Sequence, residues 1–224
     1  MILTVTLNAA LDITYRVPRL HPHATNRVAE VSERPGGKGL NVSRVLAALG
    51  HRTVATGFAG GGTGTALRAL LAETEVTDAL VPVGGATRRT VAVVDAAGGD
   101  TTQLNEPGPT VSPAEWDTFL GTYRELLGEA RAVALCGSLP PGVPVDVYAR
   151  LTRAARSAGV PVLLDTSGEP LRRGLAARPD LAKPNADELA ALTGSTAAVM
   201  LLVLCTCMVF KYGFGMGKDL TLVV

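Results

Sequence analysis

Hydrophobic positions along this chain alternate between two spacings. A nearly continuous apolar run, Ile2-Leu3-Thr4-Val5-Thr6-Leu7, predicts a strand, and Val42, Val45, Leu46 and Leu49 fall at i, i+3, i+4 and i+7, the stripe of a helix starting close to Asn41 and stopped by Gly50. The same exchange recurs. A strand is expected over Arg52–Gly57 and a helix over Gly64–Thr74, where Ala66, Leu67, Leu70 and Leu71 share a face. From Thr14 to Glu33 the apolar residues are too scattered for a long helix and predict short strands. Thr90–Asp95 and Thr101–Leu104 flank Ala96-Ala97-Gly98-Gly99, a hairpin signal. Ser112-Pro113-Ala114-Glu115 is a capping box with proline at the first helical position, so a helix runs from there to about Leu127, before Gly128. Ala132–Cys136 and Pro161–Asp165 have the unbroken apolar character of strands buried on both faces, and Val145–Ala158 between them reads as a helix ended by Gly159. A last helix carries Glu188, Leu189 and Leu192 and closes at Gly194. Strand, small polar or glycine-rich turn, then helix is the rhythm of an open α/β sheet, in which ligands sit beyond the carboxyl ends of the strands.

Composition narrows the class. With 224 residues, 47% hydrophobic side chains and a formal charge of +1, the chain can bury a substantial core and carries no basic cluster for nucleic acid. No leader of charged and then apolar residues precedes the first strand, so a cytoplasmic protein is expected. Cys136, Cys205 and Cys207 make no disulfide framework, and Cys205-Thr206-Cys207 lacks a second ligand pair for zinc.

Candidate chemistry centres on Pro35-Gly36-Gly37-Lys38-Gly39-Leu40-Asn41. Glycines entering a helix let a ligand approach the backbone, and the free N–H groups of the first turn favour an anion. A P-loop needs a glycine five residues before the Gly-Lys pair and a hydroxyl after the lysine; Ser32 and Gly39 occupy those places. The dinucleotide pattern G-x-G-x-x-G fails here and at Gly57–Gly64. Lys38 stands out because only four of the 21 basic residues are lysines.

This run resembles the signature of the ribokinase-like (PfkB-type) sugar kinases, the family that includes 1-phosphofructokinase and tagatose-6-phosphate kinase. Thr6-Leu7-Asn8-Ala9-Ala10-Leu11-Asp12 looks like its companion motif, with Ala9 where proline is usual; Thr87-Arg88, Asn105-Glu106-Pro107-Gly108-Pro109, Cys136-Gly137-Ser138-Leu139-Pro140 and Lys183-Pro184-Asn185-Ala186-Asp187-Glu188 follow in family order. The resemblance implies a ribokinase-like three-layer α/β sandwich over residues 1–194, with a small β-sheet lid built from segments near 14–34 and 80–105. It implies ATP-dependent phosphorylation of a sugar phosphate, fructose 1-phosphate or tagatose 6-phosphate, with ATP and Mg2+ as cofactors and with neither nucleic acid nor membrane as partner. A homodimer through the lid is expected. Asp12, Gly37, Lys38, Asn41, Arg88 and Ser138 would then bind the sugar phosphate. Lys183, Asn185 and Glu188 would serve the nucleotide phosphates, Glu188 also acting indirectly on the metal. Arg89, the strand neighbour of Arg88, is expected to face the other way.

No Gly-Ala-Gly-Asp run, which supplies the family's catalytic aspartate and anion-binding helix start, occurs in the chain. Residues 195–224 contain no Arg or Pro but two of the four Lys, two of the three Cys and three of the four Met. So abrupt a break suggests a kinase reading frame lost or truncated near Gly194, followed by an anomalous apolar tail, and a chain that binds sugar phosphate without turning it over.

Overall fold

Chain order in the computed structural model, which describes residues 1–194, is β1 (Ile2–Thr6), β2 (Ala10–Val17), β3 (Glu30–Gly36), α1 (Lys38–Ala48), β4 (Thr53–Ala59), α2 (Gly61–Ala72), β5 (Val76–Pro82), β6 (Arg88–Asp95), β7 (Thr101–Asn105), α3 (Pro113–Leu127), β8 (Ala132–Cys136), α4 (Val147–Ser157), β9 (Val162–Asp165), α5 (Gly168–Ala176), β10 (Leu181–Ala182) and α6 (Ala186–Thr193). The chain forms two units, Met1–Lys183 and Pro184–Val224. In the first, a six-stranded sheet in the order β10-β9-β8-β1-β4-β5 is parallel throughout. A four-stranded sheet in the order β3-β2-β6-β7 stands apart from it. The expected tail, residues 195–224, lies outside the described residues.

Strand β1 determines where a ligand can sit. From it the chain steps outward through β4 to β5, then returns to β8 on its other side and steps outward again through β9 to β10. The strand order therefore reverses between β1 and β8, and a crevice opens beyond their carboxyl ends. The strands themselves are apolar as the sequence requires: Leu3, Val5, Val133, Leu135, Val162 and Leu164 are essentially inaccessible. Against this sheet, Phe58, Trp116, Phe119 and Tyr123 form a continuous aromatic row with ring centroids 5.2 to 6.4 Å apart. The Ser112–Glu115 capping box starts α3 as expected, with Ser112 accepting from the Glu115 N–H and Glu115 accepting from the Ser112 N–H.

Helix α1 departs from expectation in both start and face. It begins at Lys38, not near Asn41, and buries Gly39, Leu40, Ser43 and Ala47, while Val45 and Leu49 are 60% and 61% exposed. Close docking explains the choice: a Cβ on Gly39 would lie 2.3 Å from Thr6 Oγ1 and 2.9 Å from the Val5 carbonyl. Only the small-residue face fits so near β1, and it gains the full burial of Leu40, about 2 kcal/mol.

Three further differences have local causes. Helix α2 starts at Gly61, ahead of the expected Gly64, because glycines of low helix propensity hide its first turn from periodicity. Strand β5 was not anticipated and belongs to the parallel sheet, so the second lid segment begins at Arg88 rather than near residue 80; at that sheet edge only part of its length is buried. The first lid segment likewise comprises Ala10–Val17 and Glu30–Gly36. Helix α5, also unanticipated, contains Pro170 and two glycines and buries just Leu171 and Gly174, too sparse a stripe to read. The Gly98-Gly99 hairpin is present, with β6 and β7 antiparallel and Gly99 at φ 76°.

Candidate active site

At Thr6 the chain leaves the parallel sheet, and at Ala10 it enters the lid sheet. The turn between them passes over the β1–β8 crevice, where a cavity of about 170 Å³ opens. Thr6 and Asn8 line it from that turn, Gly37 and Lys38 from the start of α1, and Arg88 from the lid. Gly137, Ser138 and Ser167 complete it from the loops after β8 and β9. Gly37 caps α1 at φ 104° without a side-chain hydrogen bond, so the first helical N–H groups are left for a ligand.

Two cations, Lys38 and Arg88, reach this cavity by different supports. Lys38 Nζ donates to Asp165 Oδ1 at 2.8 Å, and Lys183 Nζ stands 3.8 Å from Asp165 Oδ2. Asp165, at the end of β9 and only 7% exposed, thus gathers both lysines that sequence reasoning singled out. Arg88 is held from the other sheet, its Nε donating to the Asn8 carbonyl at 3.1 Å. Burial lowers the Arg88 pKa, and the Asp12 carboxylate opposes that shift. Asp12 itself is raised above the ordinary carboxylate range by burial, against the lowering pull of Arg88, a hydrogen bond with Thr90, and Arg44.

Register places Asp12 and Arg88 on one lid face. Ala10 pairs with Arg88 and Asp12 with Thr90, so these side chains share a side of the sheet. Gly36 makes room there, since a Cβ on it would sit 2.0 Å from Asp12 Cγ. Arg89 does turn the other way, where its guanidinium holds the exposed Glu106 carboxylate at 2.6 and 2.9 Å.

The Gly137-Ser138 turn is fixed from beneath. The Gly137 carbonyl accepts from Tyr148 Oη at 2.9 Å and Thr166 Oγ1 at 2.8 Å, and the Gly137 N–H donates to the Asp165 carbonyl at 2.8 Å. Ser138 Oγ accepts from Asn8 Nδ2 at 3.1 Å. Cys136, directly below, is no nucleophile, because burial first and Asp165 second push its thiol up to about 12.

Of the expected site residues, Gly37, Lys38, Arg88 and Ser138 line one cavity, Asp12 shares the face of Arg88, and Lys183 joins Lys38 through Asp165. Asn41 does not line the cavity; it is exposed on α1, its N–H bonded to the Gly37 carbonyl because the helix begins earlier than expected. Asn185 and Glu188 open α6 in the second unit, where each side chain accepts from the other's backbone N–H at 2.8 Å. The motif Asn-x-x-Glu is thus also a capping box, which fixes the direction of the Glu188 carboxylate. Sequence reasoning missed Thr6, Asn8, Asp165 and Ser167 as site residues. Their signal was position: each stands at or just beyond the carboxyl end of a parallel strand.

Among the described residues no three His, Cys, Asp or Glu side chains gather into a metal cage. Magnesium bound through nucleotide phosphates needs only one or two carboxylates, and a carboxylate such as that of Glu188 is of that chemistry. No helix among the described residues is long and apolar enough to cross a membrane.

The cavity thus lies at the reversal point of the parallel sheet, beneath a small second sheet, with Lys38 and Arg88 as its two cations. In comparison with known proteins, residues 5–203 match the pfkB family of carbohydrate kinases, and the chain belongs to that family. It is 44% identical over 196 residues to 1-phosphofructokinase of Rhodobacter capsulatus, covering 87% of this chain and 62% of that protein. A possible 1-phosphofructokinase from Thermotoga maritima superposes with a TM-score of 0.79 at 35% identity, over 84% of this chain and 61% of the other. The tetrameric inhibited form of Escherichia coli phosphofructokinase-2 gives a TM-score of 0.80 at 32% identity, over 94% and 70%. The chain therefore spans about three fifths of the length of the 1-phosphofructokinase relatives it matches.

Proposed function

We propose that the protein is built as a sugar-phosphate kinase for transfer of the γ-phosphoryl group of ATP to fructose 1-phosphate, giving fructose 1,6-bisphosphate and ADP, and that residues 1–194 hold the sugar-phosphate site of that reaction. One observation carries this reading: Lys38, Arg88 and Ser138, from three separate elements, converge on one cavity at the β1–β8 switch point. Arg88 suits the substrate's own phosphate, because a guanidinium is planar, permanently charged and forks onto two oxygens. Asp12, on the same lid face, accepts from sugar hydroxyls. Lys38 and Lys183, paired through Asp165, carry positive charge to the transferring phosphate, where catalysis consists mainly of positioning and neutralising oxygen charge. Asn185 and Glu188, which open α6, would serve ATP and its Mg2+, Glu188 offering a carboxylate to the metal.

Self-association through the lid belongs to the same reading. The lid face opposite Asp12 carries Ile13, Tyr15, Val31, Val91, Val93 and Leu104, of which Val31 and Leu104 are more than half exposed. On this reading a second copy of the chain covers this face, with Val31 and Leu104 the side chains it would take out of water.

Calorimetric titration of the folded chain with fructose 1-phosphate and tagatose 6-phosphate tests the assignment. Tighter binding of fructose 1-phosphate is expected. Preference for tagatose 6-phosphate transfers the assignment to that substrate, and binding of neither overturns it.

A further inference from the structure

Asn8 lies where the two sheets part, and no motif logic assigned it a task. Its backbone carbonyl accepts from Arg88 Nε at 3.1 Å, and its side-chain Nδ2 donates to Ser138 Oγ at 3.1 Å. A single turn residue thus touches both groups expected to grip the substrate phosphate, one from each sheet.

The direction of the second hydrogen bond has a chemical consequence. A serine hydroxyl has one proton to donate and two lone pairs to accept with. With Nδ2 occupying a lone pair, the Ser138 proton is left for another acceptor, and a phosphate dianion offers only acceptors. If the amide were turned over, Oδ1 would take the Ser138 proton and the hydroxyl would present lone pairs to the phosphate.

Surrounding atoms select the productive orientation. Asn8 Oδ1 is buried, makes no hydrogen bond, and lies against Gly108, where a Cβ would come within 2.1 Å of it. Turning the amide over would put an N–H donor in that acceptor-free place, and buried orphan donors are tolerated less often than under-used carbonyl oxygens. We infer that Asn8 is a positioning residue that fixes Ser138 as a hydrogen-bond donor to the substrate phosphate and anchors Arg88 beside it. The inference rests on the sugar-phosphate reading of the cavity.

The test is a set of calorimetric titrations of the full chain with fructose 1-phosphate, each variant first shown to be folded by thermal melting. Asn8→Ala and Ser138→Ala should each weaken binding about tenfold, the loss of one charge-assisted hydrogen bond. In the Ser138→Ala background, Asn8→Ala should cost no more than about twofold, because its route to the phosphate is already gone. Asn8→Asp is the sharper variant. It keeps the size of the side chain, yet should bind at least about tenfold more weakly than Asn8→Ala, since a carboxylate takes the Ser138 proton and repels the phosphate. A purely structural role predicts the reverse order, with the same-sized aspartate milder than alanine. That order, or additive losses in the double variant, overturns the inference while leaving the cavity's assignment intact. Failure of the folded wild-type chain to bind fructose 1-phosphate overturns both.

Discussion

The parallel sheet and the lid sheet solve opposite problems with the same kind of strand. Every residue of β4 is buried, as are four of the five in β8, whereas all five residues of β7 are exposed. The parallel sheet therefore holds the core and carries the groups that must not move, Lys38 on the docked start of α1 and Asp165 at the end of β9. The lid buries Ala10, Leu11, Ile13 and Val17 on β2 but leaves its edge strand β7 in solvent, and it supplies Asp12 and Arg88. Segments with few buried apolar contacts lie at the low-stability end of a fold, which is where a ligand-covering element belongs. The site joins groups from both sheets, and Asn8 lies in the turn by which the chain crosses between them.

Turnover should give the largest difference, because the 224 residues hold no Gly-Ala-Gly-Asp run, to which the family resemblance assigns the proton acceptor. The 224-residue chain should bind sugar phosphate yet release no ADP above background. A chimera that continues beyond Gly194 with the C-terminal region of an active relative should gain at least about 10² to 10⁴-fold, the usual worth of a placed acid or base. Equal ADP release by the two proteins would mean that some group of the two sheets accepts the proton.

Stability separates the sheets next. Leu135, fully buried in β8, should cost about 2 to 5 kcal/mol when changed to alanine, while Leu104→Ala on β7, 59% exposed, should stay within about 0.5 kcal/mol. Denaturant melts decide it, and similar losses at both positions would erase the contrast. On the lid, Leu104→Lys should leave the melt unchanged and reduce self-association in analytical ultracentrifugation; an unaltered sedimentation profile would remove the outer lid face as the contact.

A smaller effect is expected at Asp12. Its pKa is raised in the folded chain, chiefly by burial, so its ionised form is disfavoured by folding, and stability should rise as pH falls through the raised value. Asp12→Asn should consequently melt slightly above wild type at pH 7, with the gap closing on acidification, and bind fructose 1-phosphate more weakly. A gap that persists at low pH would show that something other than ionisation separates them.

How much of this was legible follows the same division. The parallel-sheet strands Ala132–Cys136 and Pro161–Asp165 announced themselves as unbroken apolar runs, and the α3 capping box named its own first turn. Helix α1 misled because its hydrophobic stripe was real but outbid by the close approach of Gly39 to Thr6, a three-dimensional fact that periodicity does not carry. Residues marked by unusual chemistry, Lys38 and Lys183 in a chain rich in arginine, were readable, and so was Arg88 through its motif. Asp165 and Asn8 were not, since an aspartate ending a strand and an asparagine in a turn are ordinary until the fold places them against two cations and a serine.

The central claim is that one anion site is shared between the two sheets, with Arg88 from the lid and Lys38 from the parallel sheet acting on the same ligand. Calorimetric titration of fructose 1-phosphate into wild type, Arg88→Ala, Lys38→Ala and the double variant tests it directly. Each single change should weaken binding about tenfold or more, Arg88→Ala the most, as losing charge-assisted hydrogen bonds of about 1.5 to 3 kcal/mol each requires, while the melts stay close to wild type. Unchanged affinity in folded Arg88→Ala would contradict the account, because the lid would then take no part in holding the phosphate.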